Sequence, residues 1–494
     1  MKEAHTAFWD AYPALGWGIS ATLGAIGFFE HSIFIAVLWI VYQLYLSISK
    51  GAIQAILLIS VFLYSASLFS HLPLPKEGRA VFSIHSVEKH ASPFQSGWLY
   101  KGTLHAFRSE KGAWATSLPC SVLYRGEADK RPKANVDYFL TGQLQNRREF
   151  DFSFKAKEWE ARPHSWSLAE FRYLAKERIH TILKHHLHEW HSAPFLNALF
   201  TGNIEDRMLR FEFGRLGLQY LLVISGFHFA ILSAFIAFAL RFMMPSRWRL
   251  WFLLIAVSIY FLFVGNSPPV QRSYLAASIF LIGSLLGRRS SGLNILGACL
   301  LIEILLNPII VRTIGFQLSF LSCFGIFLFY RPIQRLLHPI LPIRRLEDAA
   351  ELSLPSKCGF VLSSFFTRAL CLTLSVNLAL WPLLLFHFHR FPFLSLFYNL
   401  FVPPLTALCL FLLLAALTAY AFFPLFSLPL FKILDLLSGE LLEVIGHPPA
   451  ILDRGISTPF PGWILAPYVT ILFIGVIYLR QRESCGLTYF NSLQ

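Results

Sequence analysis

Ser225 and His228 stand three residues apart in the run Gly217-Leu218-Gln219-Tyr220-Leu221-Leu222-Val223-Ile224-Ser225-Gly226-Phe227-His228, which is otherwise apolar. A serine beside an imidazole can act as a nucleophile with its base. Neither a third orienting residue nor an oxyanion motif accompanies this pair, so no catalytic residue is assigned. Polar groups at membrane depth are costly unless they face protein or a water-filled cavity. The pair therefore equally suits helix packing around a satisfied histidine, or the lining of a pore. Spacing of i, i+3 predicts one shared helix face. Gly226 permits close backbone approach or a helix break.

Three further groups of polar residues interrupt apolar sequence. Gly265-Asn266-Ser267-Pro268-Pro269-Val270-Gln271-Arg272 breaks one helix and starts the next. Arg272 at a helix start opposes the helix dipole, so it needs a partner or an aqueous lumen. It reads either as a cation on an anion path or as an interfacial arginine that snorkels. Gln317 and Ser319 follow Asn307-Pro308 and Gly315, and Glu303 in the preceding segment is a partner for Arg272 or Arg312. Asn377 precedes Pro382, and Asn399 precedes Pro403-Pro404. These positions predict either broken helices around a cavity or simple kinks.

His180, His185, His186, His188 and His191 cluster in one segment, but no carboxylate or cysteine set completes a metal site, and none is assigned. His387-Phe388-His389 continues with Phe391-Pro392, so a dinuclear hydrolase signature fails. Seven cysteines without a C-x-x-C pair make no disulfide framework, and no cofactor is called for.

The elements that must hold these residues are mostly apolar. Of 494 residues, 55% are hydrophobic, only 14% are charged, and 49 are Phe. Charged residues average about 25% in soluble domains, so this balance excludes an ordinary soluble enzyme and a disordered chain. The formal net charge is +14, which suits basic cytoplasmic loops, an anionic cargo, or both. The fold class expected is a polytopic α-helical membrane protein with an inserted small extracytoplasmic β-barrel of OB-like type.

Four units are expected. Residues 1–72 hold three N-terminal transmembrane segments, Ala14–Phe29, Ser32–Ser49 and Ala52–Ser70, the first of them kept as an anchor. Residues 73–165 form the β-domain, with alternating stretches Val81–Val87, Trp98–Phe107, Val122–Tyr124, Asp137–Gln143 and Phe150–Lys155. Residues 166–193 form an amphipathic helix, Ser167–Ser192, on the membrane surface or under the barrel. A capping box from Ser167 to Glu170 would start it, and Leu168, Phe171, Leu174, Ile182 and Trp190 would form its apolar stripe. Arg172, Lys176 and Lys184 lie off that stripe. Residues 194–494 hold further spans: Leu216–Phe242, Leu250–Val264, Val270–Leu286, Leu293–Leu306, Ile314–Tyr330, Phe365–Phe386, Leu394–Tyr420, one or two before Val444, and Trp463–Leu479.

With the β-domain outside, 12 Arg/Lys of the short loops fall inside and four outside. That ratio favours this orientation over its inverse. The β-domain carries 15 Lys/Arg against 10 Asp/Glu. Exposed Trp98, Tyr100, Phe107, Trp114, Tyr124, Tyr138 and Phe139 would alternate with Lys101, Arg108, Lys111 and Arg125, the mixture that stacks bases and attracts phosphates. Most of those rings must nevertheless build a small core.

Gly217–His228, Pro268–Ser273, Asn307-Pro308 with Gly315–Phe320, and Pro382 through Asn399 to Pro403 occur in an order and spacing that resembles the ComEC-type competence protein family. The resemblance covers about Leu196–Leu414 and extends more loosely to the N-terminal helices and β-domain. It implies an inner-membrane channel, with no enzymatic activity of its own, that passes one DNA strand to the cytoplasm during natural transformation. It places Ser225, Gly226, His228, Arg272, Gln317, Ser319 and Asn399 on the family's polar helices; Asn377 joins them as a pore candidate. The implied partners are single-stranded DNA, a periplasmic DNA-binding competence protein, a cytoplasmic helicase-type motor or single-strand-binding protein, membrane lipid, and further copies in a homo-oligomer. Tyr220, Pro269 and Ser273 depart from the residues usual in the family, which are His, Ser and Ala. The metallo-β-lactamase-like domain of many members is expected to be missing, because H-x-H-x-D-H is absent, so another protein would degrade the second strand. No G-x-x-x-x-G-K-[ST] loop occurs, so the pull must come from elsewhere. Two other readings stay open: a transporter of another anionic metabolite or lipid head group, and an intramembrane hydrolase built on Ser225 and His228.

Overall fold

The computed structural model describes Trp9 and residues 11–29, 51–69, 77–91, 96–109, 112–126, 130–148, 151–241, 243–288, 291–341, 354–392 and 394–449, with 455, 456, 461, 464 and 468. The expected spans Ser32–Ser49 and Trp463–Leu479, and the capture candidate Lys111, lie outside the described residues.

Helices α1 (Pro13–Phe29) and α2 (Ala52–Phe69) precede five strands: β1 (Glu77–Ala91), β2 (Ser96–Ser109), β3 (Gly112–Tyr124), β4 (Tyr138–Arg148) and β5 (Asp151–Ala161). The strands close a barrel in the order β1-β2-β3-β5-β4, with β4 returning to β1. Every pairing is antiparallel except β3 with β5. Five strands closed in this way are compatible with an OB-like barrel. Alternation puts Phe82, Ile84, Tyr100, Leu104, Val122, Leu140 and Phe154 inside.

A register shift between Leu104 and Ala106 reverses the phase of β2. Lys101 before the bulge and Arg108 after it are consequently both exposed, although seven residues separate them. The same phase buries Trp98, Tyr100 and Phe107, and Tyr138 is buried on β4. These rings are core, the part expected of most of the set, because a barrel this small must fill itself with its largest side chains.

Helix α3 (Ala169–His186) lies under β1 and is shorter than the expected Ser167–Ser192. No capping box forms. Ser167 donates to the Ile84 carbonyl, while Glu170 binds Arg131 through two oxygens and accepts from Ala134 N–H at 2.8 Å. Both side chains of that pair are 12% exposed, and Arg131 stacks over Tyr173, 4.5 Å from its centroid. Burial opposes the Arg131 charge, and the Glu170 carboxylate outweighs it, raising the guanidinium pKa. The buried face of α3 is Ala169, Tyr173, His180 and Leu183, whereas Phe171 and Leu174 of the expected stripe are 67% and 56% exposed. An apolar face turned away from the barrel suits an interfacial helix.

Among the described residues eleven α-helices follow: α4 (Ser192–Thr201), α5 (Arg207–Arg215), α6 (Gln219–Leu222), α7 (Gly226–Ala239), α8 (Ser246–Val264), α9 (Pro268–Leu285), α10 (Gly292–Leu306), α11 (Ile314–Leu337), α12 (Leu354–Phe388), α13 (Leu394–Phe422) and α14 (Pro424–Gly446). Among the described residues, α8, α11, α13 and the Ser356–Phe388 part of α12 are long and apolar enough to cross a membrane. The protein is thus a multi-pass α-helical membrane protein carrying a small barrel. Helix α1 is clasped between α10 and α2. A Cβ on Gly297 of α10 would stand 2.3 Å from Leu15 main-chain atoms, so that crossing requires glycine. Pro403 and Pro404 run inside an unbroken α13, and Pro382 inside α12. Neither site breaks its helix.

Candidate functional site

The expected continuous span Leu216–Phe242 is broken. Helix α6 ends at Leu222, Val223 and Ser225 are extended, and α7 begins at Gly226. Ser225 and His228 therefore sit around a helix start, not on one face of a continuous helix. The Ser225 N–H donates to His228 Nδ1 at 3.2 Å, and Ser225 Oγ lies 3.5 Å from the same nitrogen. His228 is 1% exposed, and its Nε2 has no partner among the described residues.

Arg272 lies in the second turn of α9, whose start Pro268 and Pro269 fix by presetting φ where no N–H is needed. The arginine is 8% exposed. Its Nε donates to Ser319 Oγ on α11 at 2.6 Å, and its guanidinium lies 6.0 Å from the Phe320 ring centroid. Its backbone carbonyl accepts a long 4.0 Å contact from Cys299 Sγ of α10. Gly226 brings the start of α7 to this point: a Cβ there would lie 3.9 Å from Arg272 Nη2 and 3.7 Å from Ser273 Oγ. The anticipated ion pair with Glu303 does not form. Glu303 is fully buried on α10, both its oxygens lack a hydrogen bond, and the Arg272 charge acts on it through space only.

Gln317 reaches two ways, donating to the Val311 carbonyl at 2.9 Å and meeting His387 Nε2 of α12 through Oε1 at 2.9 Å. His387, discounted from the sequence, thus ties α12 to α11. Asn399 Oδ1 of α13 accepts from Tyr220 OH of α6 at 2.7 Å. Asn377 donates to the Thr373 carbonyl within its own helix at 2.8 Å, so nothing links it to the others. Among the described residues, Arg272–Ser319, Gln317–His387 and Tyr220–Asn399 are side-chain links by which expected residues join one helix to another.

The capture candidates are separate. Lys101 pairs with Glu88 at 2.7 Å. Arg108 and Arg125 are exposed and make no hydrogen bond or ion pair among the described residues. Sequence reasoning missed Arg172 and Lys176, the joint between barrel and bundle. Arg172 donates to the carbonyls of Leu262 and, at 3.0 Å, of His85 on β1. Lys176 Nζ donates to the Val264 carbonyl at 2.8 Å. Both cations sit on the unsatisfied C-terminal carbonyls of α8, where the helix dipole favours positive charge. Burial pushes the Lys176 ammonium down to about 8. The i, i+4 spacing of these two cations was a usable signal, but the helix end they cap is some 90 residues away in sequence.

A family model described as competence protein matches residues 202–482. ComE operon protein 3 of Bacillus subtilis (strain 168) is 26% identical over 223 residues, which are 44% of this chain and 25% of that relative. The match thus spans about a quarter of the relative's length. No solved structure matches the chain.

Proposed function

The chain belongs to the ComEC-type competence protein family, and from that premise we propose that it passes single-stranded DNA through the inner membrane during natural transformation. Arg272 carries the reading. A permanent cation buried in an apolar bundle, held through Nε alone and beside a carboxyl that does not pair with it, is costly in the empty protein. A passing polyanion offsets that cost. Ser319 holds it and Gly226 approaches its Nη2; Ser225, His228, Gln317 and Asn399 would border the same path, and Asn377 is its weakest member.

The barrel lies outside the membrane in this scheme. Arg108, Arg125 and Lys101 draw the strand from a periplasmic DNA-binding protein, with attraction that falls as salt rises. Lys111 would join them. A cytoplasmic helicase-type motor or single-strand-binding protein supplies the pull, and lipid surrounds the bundle. Copies assembled as a homo-oligomer would widen the passage.

The hydrolase reading is weaker on geometry. His228 Nδ1 already accepts the Ser225 N–H, so it is not free as a base for Ser225 Oγ. Donor DNA followed in a gene-deletion strain tests the proposal. DNA held outside the inner membrane is expected. Normal entry into the cytoplasm would overturn it, and normal entry with a defect in an anionic metabolite would favour a carrier.

A further inference from the structure

We propose that the start of α7 and the Arg272 guanidinium form a station for one phosphate oxyanion, with Gly226 leaving the space it occupies. The substrate class, a phosphodiester of the DNA strand, rests on the uptake reading above.

Two positive poles face each other here. A helix N-terminus carries roughly half an elementary charge, and α7 points that end at Arg272 Nη2. Such an arrangement is repulsive unless an anion lies between. The unsatisfied groups of Arg272 and of the first turn of α7 are donors, and the one unsatisfied carboxyl that senses the arginine, Glu303, bonds to none of them. Arg272 Nη1 and Nη2 have no acceptor among the described residues, since Nε alone is held by Ser319. The amides of Gly226 and Phe227, in the first turn, find no backbone acceptor. His228 accepts at Nδ1, which assigns its proton to the buried, unpartnered Nε2. Glu303 cannot fill the role, because it makes no hydrogen bond to any of them. An acceptor with several lone pairs and negative charge satisfies the set, as phosphate does at other helix starts.

Gly226 gives the station a clean test. A methyl group there meets nothing closer than 3.7 Å, so α7 keeps its place, yet the methyl stands in the gap between the helix and Nη2. The full chain in zwitterionic nanodiscs, titrated with a fluorescent oligothymidylate, reads binding. Gly226→Ala and Arg272→Gln should each weaken it about 10-fold or more. Arg272→Lys, which keeps the charge but loses the fork, should weaken it as well. A methylphosphonate oligothymidylate, with a neutral backbone, should bind wild type and variants equally weakly. Inorganic phosphate should compete on wild type and not on Gly226→Ala.

Unchanged binding in Gly226→Ala and Arg272→Gln, with unchanged thermal stability, overturns the station. Displacement of the oligonucleotide by phosphatidylglycerol, with inorganic phosphate inert, overturns DNA as the source of the phosphate. Normal transformation in Gly226→Ala, in a strain that stops transforming when the gene is deleted, sinks the station and leaves the uptake reading standing. Normal transformation in the deletion strain sinks that reading itself.

Discussion

Arg272 Nε lies 2.6 Å from Ser319 Oγ, joining the second turn of α9 to the second turn of α11 across the apolar bundle. The bond orients the guanidinium without neutralising it. Ser319→Ala should therefore leave the cation in place but loosen its aim, and lower DNA uptake by about tenfold, the low end for loss of one charge-assisted hydrogen bond. Arg272→Ala removes the charge and should lower uptake further. Transformation frequency at matched protein level measures both. Equal uptake in wild type and Arg272→Ala would remove the arginine from the mechanism.

Ser225→Ala should still transform, losing no more than about threefold through a weakened cap on α7, because the main-chain N–H that binds His228 remains. Loss of transformation with intact protein would revive the hydrolase reading.

The Arg131–Glu170 pair joins the barrel to α3 at 12% exposure. Glu170→Ala strands a buried cation and should cost about 3–5 kcal/mol. Thermal unfolding of the full chain measures the loss, and proteolysis should open near residues 162–168. A shift within error of wild type would show that the pair is not needed to hold α3.

Lys176 predicts an unusual pH dependence. Its folded pKa of about 8 lies below the ordinary 10.5, so the unfolded chain binds more protons between those values. Stability contributed at this site therefore rises as pH climbs from about 8 towards 10.5, as the cost of burying the charge disappears. Lys89, raised by its Glu177 partner against the opposing effect of burial, contributes in the opposite sense: its share is present below 10.5 and lost above its folded pKa. The stability difference between wild type and Lys176→Met, followed by thermal unfolding across pH 7.5–10, isolates the lysine. A flat or falling difference would contradict it.

Much of this architecture could be read from periodicity. Five alternating stretches became five strands, and most of the apolar runs within the described residues became helices, because both patterns are local. What failed was non-local. Ser225 and His228 looked like helix-face neighbours, since nothing in Val223-Ile224-Ser225 announces an extended break among apolar residues. Tyr100 and Phe107 looked like a binding surface because composition cannot tell the inside of a small barrel from its outside. The phase of β2 turns on one bulge. Glu303 was offered to Arg272 or Arg312 by charge alone, whereas Arg272 bonds to Ser319. Asn399 and Gln317 were recognised as interior polar groups, but their partners, Tyr220 and His387, lie 179 and 70 residues away.

Cross-linking to DNA in transit tests the central claim most directly. A photoreactive residue at Ser319, on the Arg272 link, is compared with one at Ile255, which is 53% exposed on the outer face of α8. During uptake of labelled donor DNA, Ser319 should capture single strands and Ile255 should capture none. Silence at Ser319 while DNA still enters the cytoplasm would mean that the strand takes another route.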